Sequence, residues 1–476
     1  MEHLIKINLP GGFISAGDLY EILLIAESAG ATDIRFGNRQ QLYFKVTADN
    51  LEDLELDMLK SEISYETDAD IHPNIISSYV ADTIFTHQEA WLREGVYKDI
   101  FDGFDYQPKL KVNVVDSNQT FVPFYSGNIN FISSVVNNYW FVYIRFPKTI
   151  KVCCFPSLVY SEDIPAFAKA AEELILQQKD LFYDQSVVDE DLFFETLLAR
   201  LPLAYRQISE ALKLPDFSLP YYEGFNKYSN KYWLGIYRRN ELFKLSFLKD
   251  ICLLCLKSRI GQVYSTPWKS IIIKGIEQTD RNLWGQILSR HRLNIRHAAN
   301  ELNWQVEDIC EEGLALKQHL VQQFEGADLR TYQLSFAIKT QPKTGLQASV
   351  VLKKTASGLY DILHTRDFNP NSKEEIFYAT QVEPQGLSEK LIALCGGFYD
   401  RQSSSSLLAV SDAVDETIIQ QEIINVYECK CCLTRYDERY GDPQNDIEKG
   451  TPFDTLTDYC CPVCEAPAVE FSLIEA

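Results

Sequence analysis

An α+β fold with an internal duplication, closed by a small metal-binding module, is predicted from three features of the 476-residue sequence. An order of strand, helix, strand, strand, helix occurs twice. The composition, 46% hydrophobic and 12% aromatic, suits two to four compact units with well-packed cores. Six of the twelve cysteines crowd between Cys429 and Cys464, four of them in two C-x-x-C pairs.

The first copy opens with the strand "LIKINLP" and a turn at Gly11 and Gly12. An amphipathic helix in "AGDLYEILLIAESAG", strands in "TDIRFG" and "QQLYFKV", and a second helix in "LEDLELDMLKSE" follow. From Trp233 the same order recurs in "WLGIYRRNELFKLSFLKDICLLCLKSRIGQVYSTPWKSIIIKGI", with "RNLWGQILSRHRL" as its last helix. Ser15 and Gly30 are expected to correspond to Ser246 and Gly261, a duplication at a spacing of roughly 230 residues.

A formal charge of −22 and a pI near 4.8 exclude nucleic acid as a partner, because phosphate binding needs a basic surface. No apolar run reaches the roughly 20 residues of a membrane span, and the N-terminal stretch lacks the basic and apolar regions of a signal peptide. A cytoplasmic protein is expected. The metal-like spacing of the tail cysteines suits thiolate coordination in a reducing compartment.

Cys429 with Cys432 and Cys461 with Cys464 each place two thiolates on one tight turn. Two such turns close a tetrahedron. Cys431 and Cys460 each lie beside one of these residues and are read as passengers. Between the pairs stand "GDP" at 441–443 and "GTPF" at 450–453, with Tyr427, Tyr436, Phe453, Tyr459 and Phe471 as aromatics. The whole pattern resembles rubredoxin; a zinc ribbon is the alternative, with a shorter interval between pairs. The resemblance implies that Cys429, Cys432, Cys461 and Cys464 hold one iron (Fe3+/Fe2+) as Fe(SCys)4 and that the aromatics form a small core. Three departures stand out: Leu433 and Glu465 occupy positions where the family usually has Gly, Tyr459 replaces a Trp, and the interval from Phe453 to Cys461 is one residue short.

In the body, "IRFGNRQQLYF", "VYSTPWKSIII", "ADIHPNIISSYVAD" and "QPKLKVNVVDSNQTF" resemble segments of nitrite and sulfite reductases that carry sirohaem and a 4Fe–4S cluster. The resemblance implies two ferredoxin-like half-domains (1–75 and 226–300), each followed by an α/β domain (76–225 and 301–400), then a linker (401–424) and the rubredoxin domain (425–476). A short helix is expected from about Asp415 to Asn425.

The family's cluster cysteines, C-x5-C then C-x3-C, have no counterpart: the corresponding region offers only Cys310. Arg35 and Arg39 stand at family positions for anion-binding residues, but Tyr264 and Pro73 replace two others. Sirohaem and the 4Fe–4S cluster are therefore expected to be absent. Cys252 and Cys255 lie in an apolar helix face and Cys153 and Cys154 in a strand, so all four are read as core or passenger residues. "RHRLNIRH", with His291 and His297, is read as a solvated basic face.

The expected function is electron transfer by the tail, on a non-catalytic body that docks redox partners, an electron-donating reductase and an accepting oxidoreductase of nitrite or nitrate assimilation. The alternatives are an active sirohaem reductase with a fused donor, and an assembly protein with structural zinc.

Overall fold

The computed structural model describes residues 2–86, 91–341, 345–372, 374–412, 426–432, 434–438, 440–442, 445 and 447–474. They fall in two units, Met1–Gly397 and Phe398–Ala476.

The first copy of the repeat runs β1 (Glu2–Ile7), β2 (Phe13–Ser15), α1 (Ala16–Ser28), β3 (Asp33–Phe36), β4 (Leu42–Thr47), α2 (Leu51–Lys60) and β5 (Glu66–Thr67). Ser15 caps α1 by accepting the Asp18 N–H, and Gly30 leaves the helix at φ +80°. A mixed α/β segment follows: β6 (Ile76–Ser77), α3 (Glu94–Asp102), β7 (Val112–Val115), β8 (Ile129–Ser133), β9 (Tyr139–Ile144), β10 (Cys153–Cys154), β11 (Ser157–Tyr160), α4 (Ile164–Gln177), α5 (Lys179–Phe182), α6 (Glu190–Arg200) and β12 (Arg206–Gln207). Its strands β6, β7 and β8 are parallel and β9 turns antiparallel. The first two connections cross over and the last is a hairpin, as those pairings require.

The second copy is β13 (Gly224–Tyr228), β14 (Lys231–Ile236), β15 (Phe243–Lys244), α7 (Leu245–Lys257), β16 (Gln262–Ser265), β17 (Ile271–Ile276) and α8 (Arg281–Arg290). After it come α9 (Ala299–Leu302), β18 (Trp304–Val306), α10 (Glu311–Gly326), β19 (Phe336–Lys339), β20 (Val350–Lys354), β21 (Tyr360–Thr365), β22 (Glu375–Val382) and α11 (Leu387–Asp412). Again two parallel pairings precede an antiparallel one.

The duplication has a spacing of 229 residues, seen in Glu2 against Lys231, Asp33 against Gln262 and Leu42 against Ile271 as strand starts. The match expected from the sequence, Ser15 with Ser246 and Gly30 with Gly261, is two residues out of register. Lys244 is the N-cap of α7, and Arg259, at φ +57°, takes the position of Gly30. The sequence match followed residue identity, whereas backbone geometry lets a non-glycine fill the left-handed position at some cost.

The two copies exchange edge strands. β2 pairs with β16 of the second copy, and β15 pairs with β3 of the first. Helices α1 and α7 then share one apolar core, in which Leu19, Leu23 and Ala26 join Ile251, Cys252 and Cys255. Cys252 and Cys255 are buried, and burial raises both thiols, Cys252 to about 12. That environment suits packing and opposes reactivity.

Helix α11 continues to Asp412, so the start of the expected linker at 401–424 is helical; the expected helix at Asp415–Asn425 lies outside the described residues. In the C-terminal unit, β23 (Val426–Cys429) lies between β24 (Arg435–Asp437) and β25 (Phe471–Ile474), antiparallel to both. Among the described residues no helix is long and apolar enough to cross a membrane.

Candidate functional site

Strand β23 ends at Cys429, whose N–H donates to the Thr434 carbonyl and so closes the first cysteine turn. The second turn is closed in the same way, by the Cys461 N–H on the Ala466 carbonyl at 2.8 Å. Glu465, at a position usually held by Gly, has φ +59°. Its counterpart Leu433 lies outside the described residues.

A small aromatic core holds the turns together. Phe453 stacks on Tyr427 at 4.3 Å between centroids and packs against Tyr436, Tyr459 and Phe471. Tyr459 fills the place expected for Trp, and its hydroxyl donates to Asp442 at 2.9 Å. Gly441 is required next to it: at φ +66°, an added Cβ would lie 2.5 Å from the Ile447 carbonyl oxygen.

The four sulfurs of Cys429, Cys432, Cys461 and Cys464 all lie within 4.8 Å of one another. Cys432 and Cys461 Sγ are 3.4 Å apart, and Cys429 and Cys464 Sγ 3.6 Å. With metal–thiolate bonds of about 2.3 Å, a regular tetrahedron has sulfur–sulfur edges of about 3.8 Å. The group therefore fits one iron in a tetrathiolate site. Cys431 and Cys460 are exposed and lie outside the group.

Backbone N–H groups supply the electrostatics. Burial raises the Cys429 thiol, but the N–H groups of Cys431 and Cys432 outweigh it and hold Cys429 below the ordinary thiol value. At Cys461 burial acts the same way, and the N–H groups of Val463 and Cys464, together with the thiols of Cys432 and Cys464, bring the thiol down to about 6, while Cys464, which shares its proton with the other three sulfurs, is pushed up to about 12. Such donors favour thiolate, the form that binds metal. Thr434 was not singled out by the sequence, yet its hydroxyl lies 3.0 Å from Cys432 Sγ. A hydroxyl two residues after a ligand position was the one available signal.

Cys429 and Cys461 are almost fully buried, Cys432 is half-buried and Cys464 is exposed. A closed tetrahedron leaves no position for a substrate. One-electron exchange through the exposed edge is the chemistry open to an iron in this group.

In the body, the remaining predicted residues meet other groups of the protein, although Arg35 Nη1 is buried with no hydrogen-bond partner among the described residues. Arg35 Nη2 donates to Glu311 at 2.7 Å. Arg39 donates to the carbonyls of Asn74 and Val112 and to Asn113, and burial lowers it to about 9. Tyr264 occupies the position in β16 that Arg35 has in β3. Cys310 caps α10, its sulfur accepting the Gly313 N–H at 3.3 Å. A cavity of about 260 Å³ adjoins Arg39, lined also by Gln41, Tyr43, Lys111 and Asp308. The basic run splits: His291 and Arg290 meet Asp250, while His297 lies against the buried Glu223.

Two family models match: Rubredoxin over residues 426–471, and the Nitrite/Sulfite reductase ferredoxin-like half domain over residues 2–60. Rubredoxin-2 of Chlorobaculum tepidum is 43% identical over 49 residues, which cover 10% of this chain and 94% of that protein. The probable rubredoxin HupJ of Rhodobacter capsulatus is 37% identical over 67 residues, covering 14% of this chain but only 22% of its own length. The structure of the Mycobacterium tuberculosis NirA protein superposes with a TM-score of 0.64 at 14% identity, covering 82% of this chain and 80% of that one, which shows a shared fold. Through the module that gathers its four cysteines, carried behind a body of nitrite/sulfite reductase fold, this chain belongs to the rubredoxin family.

Proposed function

We propose that the protein is an electron carrier in which Cys429, Cys432, Cys461 and Cys464 hold one iron that passes single electrons, on a body that docks redox partners and catalyses nothing itself. The observation that carries this reading is the convergence of four thiolates into a closed group at tetrahedral spacing. Iron, when bound, supplies the reversible one-electron couple. The protein's part is to fix four sulfurs, direct N–H groups at them and keep one edge open to solvent.

A non-catalytic body is supported by the engagement of its remnant residues. Arg39 spends its donors on backbone carbonyls, Arg35 is paired with Glu311, and Cys310 serves as a helix cap. The cavity of about 260 Å³ beside Arg39 lies below the roughly 300–1,000 Å³ of pockets for drug-sized ligands. A tetrapyrrole is larger still. We place the partners in nitrite or nitrate assimilation, on the fold of the body, with a reductase as donor and an oxidoreductase as acceptor. The strongly acidic chain suits partners with a basic docking face, and we assign it to the cytoplasm.

The purified full chain tests this through its absorption spectrum and metal content. The expected result is about one iron per chain and thiolate-to-iron bands that bleach on reduction and return on oxidation. Tetrapyrrole bands would overturn the non-catalytic body, and stoichiometric zinc from iron-replete cells would overturn electron transfer.

A further inference from the structure

The two cysteine turns are built alike, and one side chain makes them differ. In each, the carbonyl two residues after the second cysteine accepts the N–H of the first: Thr434 accepts from Cys429 and Ala466 from Cys461, both at 2.8 Å. The same position therefore carries a hydroxyl in the first turn and only a methyl group in the second. The Thr434 hydroxyl lies 3.0 Å from Cys432 Sγ and has no other hydrogen-bond partner among the described residues. Ala466 has no side-chain donor to offer Cys464.

Either atom of the Thr434–Cys432 contact can donate while the cysteine keeps its proton. A metal-bound thiolate has none, so the direction is then fixed: the Thr434 O–H donates and the sulfur accepts. Thr434 is held from both sides. Its carbonyl closes the first turn, and the next residue, Arg435, stands in register with Glu428 across β24 and β23. Thr434 and Cys432 are both half-buried, so water competes less for this sulfur than for that of the exposed Cys464.

A tetrathiolate iron gains one electron and no proton on reduction, so its sulfurs carry more negative charge in the reduced form. A donor directed at one of them stabilises that form more than the oxidised one. We propose that Thr434 is a positioning residue that helps set the reduction potential, its hydroxyl donating to the Cys432 thiolate and drawing the potential upward. The proposal rests on the electron-carrier reading of the four cysteines and adds to it a difference between the two turns.

Thr434→Val removes the hydroxyl at nearly constant shape, and Thr434→Ser keeps it. Spectroelectrochemical titration of the iron-loaded full chain should place the midpoint of Thr434→Val below wild type by about 59 mV, the equivalent of about a tenfold change in the one-electron equilibrium constant. Thr434→Ser should stay close to wild type. A second readout needs no iron: in the cobalt(II)-loaded full chain, the thiolate-to-metal band should move to lower energy in Thr434→Val and return in Thr434→Ser, because a hydrogen bond lowers the energy of the sulfur lone pairs. Equal displacement in both variants would overturn the proposal, since packing and not the hydroxyl would then be at work. So would an unmoved cobalt band in Thr434→Val. Wild type that binds no iron would overturn the electron-carrier reading and this role together, whereas an unmoved midpoint in iron-loaded Thr434→Val would overturn this role alone.

Discussion

Cys432 and Cys461 bring their sulfurs to 3.4 Å of each other across 29 residues of chain, and the pairing is made by two backbone turns rather than by contact between the cysteines' neighbours. Cys431 and Cys460 sit one residue away from this pair and face outward.

The ligand assignment therefore predicts an asymmetry between adjacent cysteines. Cys461→Ser should abolish normal iron loading, whereas Cys460→Ser and Cys431→Ser should leave iron per chain and the visible spectrum nearly unchanged. Bleaching by Cys460→Ser would refute the assignment.

Glu465 holds φ +59°, a conformation in which a side chain costs on the order of 1 kcal/mol relative to glycine. Glu465→Gly should stabilise the iron-loaded module by about that amount. The loss of visible absorption with denaturant on the full chain measures it.

Tyr459 is buried, and its hydroxyl donates to Asp442 at 2.9 Å. Tyr459→Phe keeps the ring packing against Phe453 and Tyr436 but removes one donor from the Asp442 carboxylate, which keeps the Asn445 amide at 2.9 Å, at a cost of about 0.5–1.5 kcal/mol. An earlier unfolding midpoint by the same measurement is expected, with the spectrum of the folded protein retained.

Lys317 predicts a pH dependence in the body. Its ammonium is 4% exposed and donates to the Tyr237 hydroxyl at 2.8 Å, and burial lowers it from 10.5 to about 8. Between those values the unfolded chain binds the proton more tightly than the folded one. This group's contribution therefore favours folding above pH 10.5, weakens as pH falls towards 8, and is constant below that. A Lys317→Met variant should lose this term. Its stability relative to wild type should fall by up to roughly 3 kcal/mol as pH is raised through that window, as measured by urea unfolding.

The cysteine group was largely legible in the chain because its information is local. C-x-x-C spacing dictates a turn, and Gly441 meets a backbone approach that no side chain could tolerate. The duplication was legible as an order of elements but not in register, since the equivalence of Gly30 with Arg259 is conformational and leaves no identity to match. The helix through 401–412 was missed because "RQSSSS" carries the composition of a linker, while the backbone there continues the apolar segment of α11 that begins at Leu387.

By itself the sequence determined the element order of the two repeats and the four closely spaced cysteines of the tail, both properties of residue type and spacing. Only the tertiary structure decided how the two repeats become one body. The exchange of β2 and β15 between sheets depends on edge hydrogen bonds between strands more than 200 residues apart, such as Phe243 opposite Ile34, and periodicity within either strand contains no trace of that partner. The same holds for Arg35 and Arg39. Their presence could be read from the chain, but their engagement by Glu311 and by backbone carbonyls follows from burial and long-range packing.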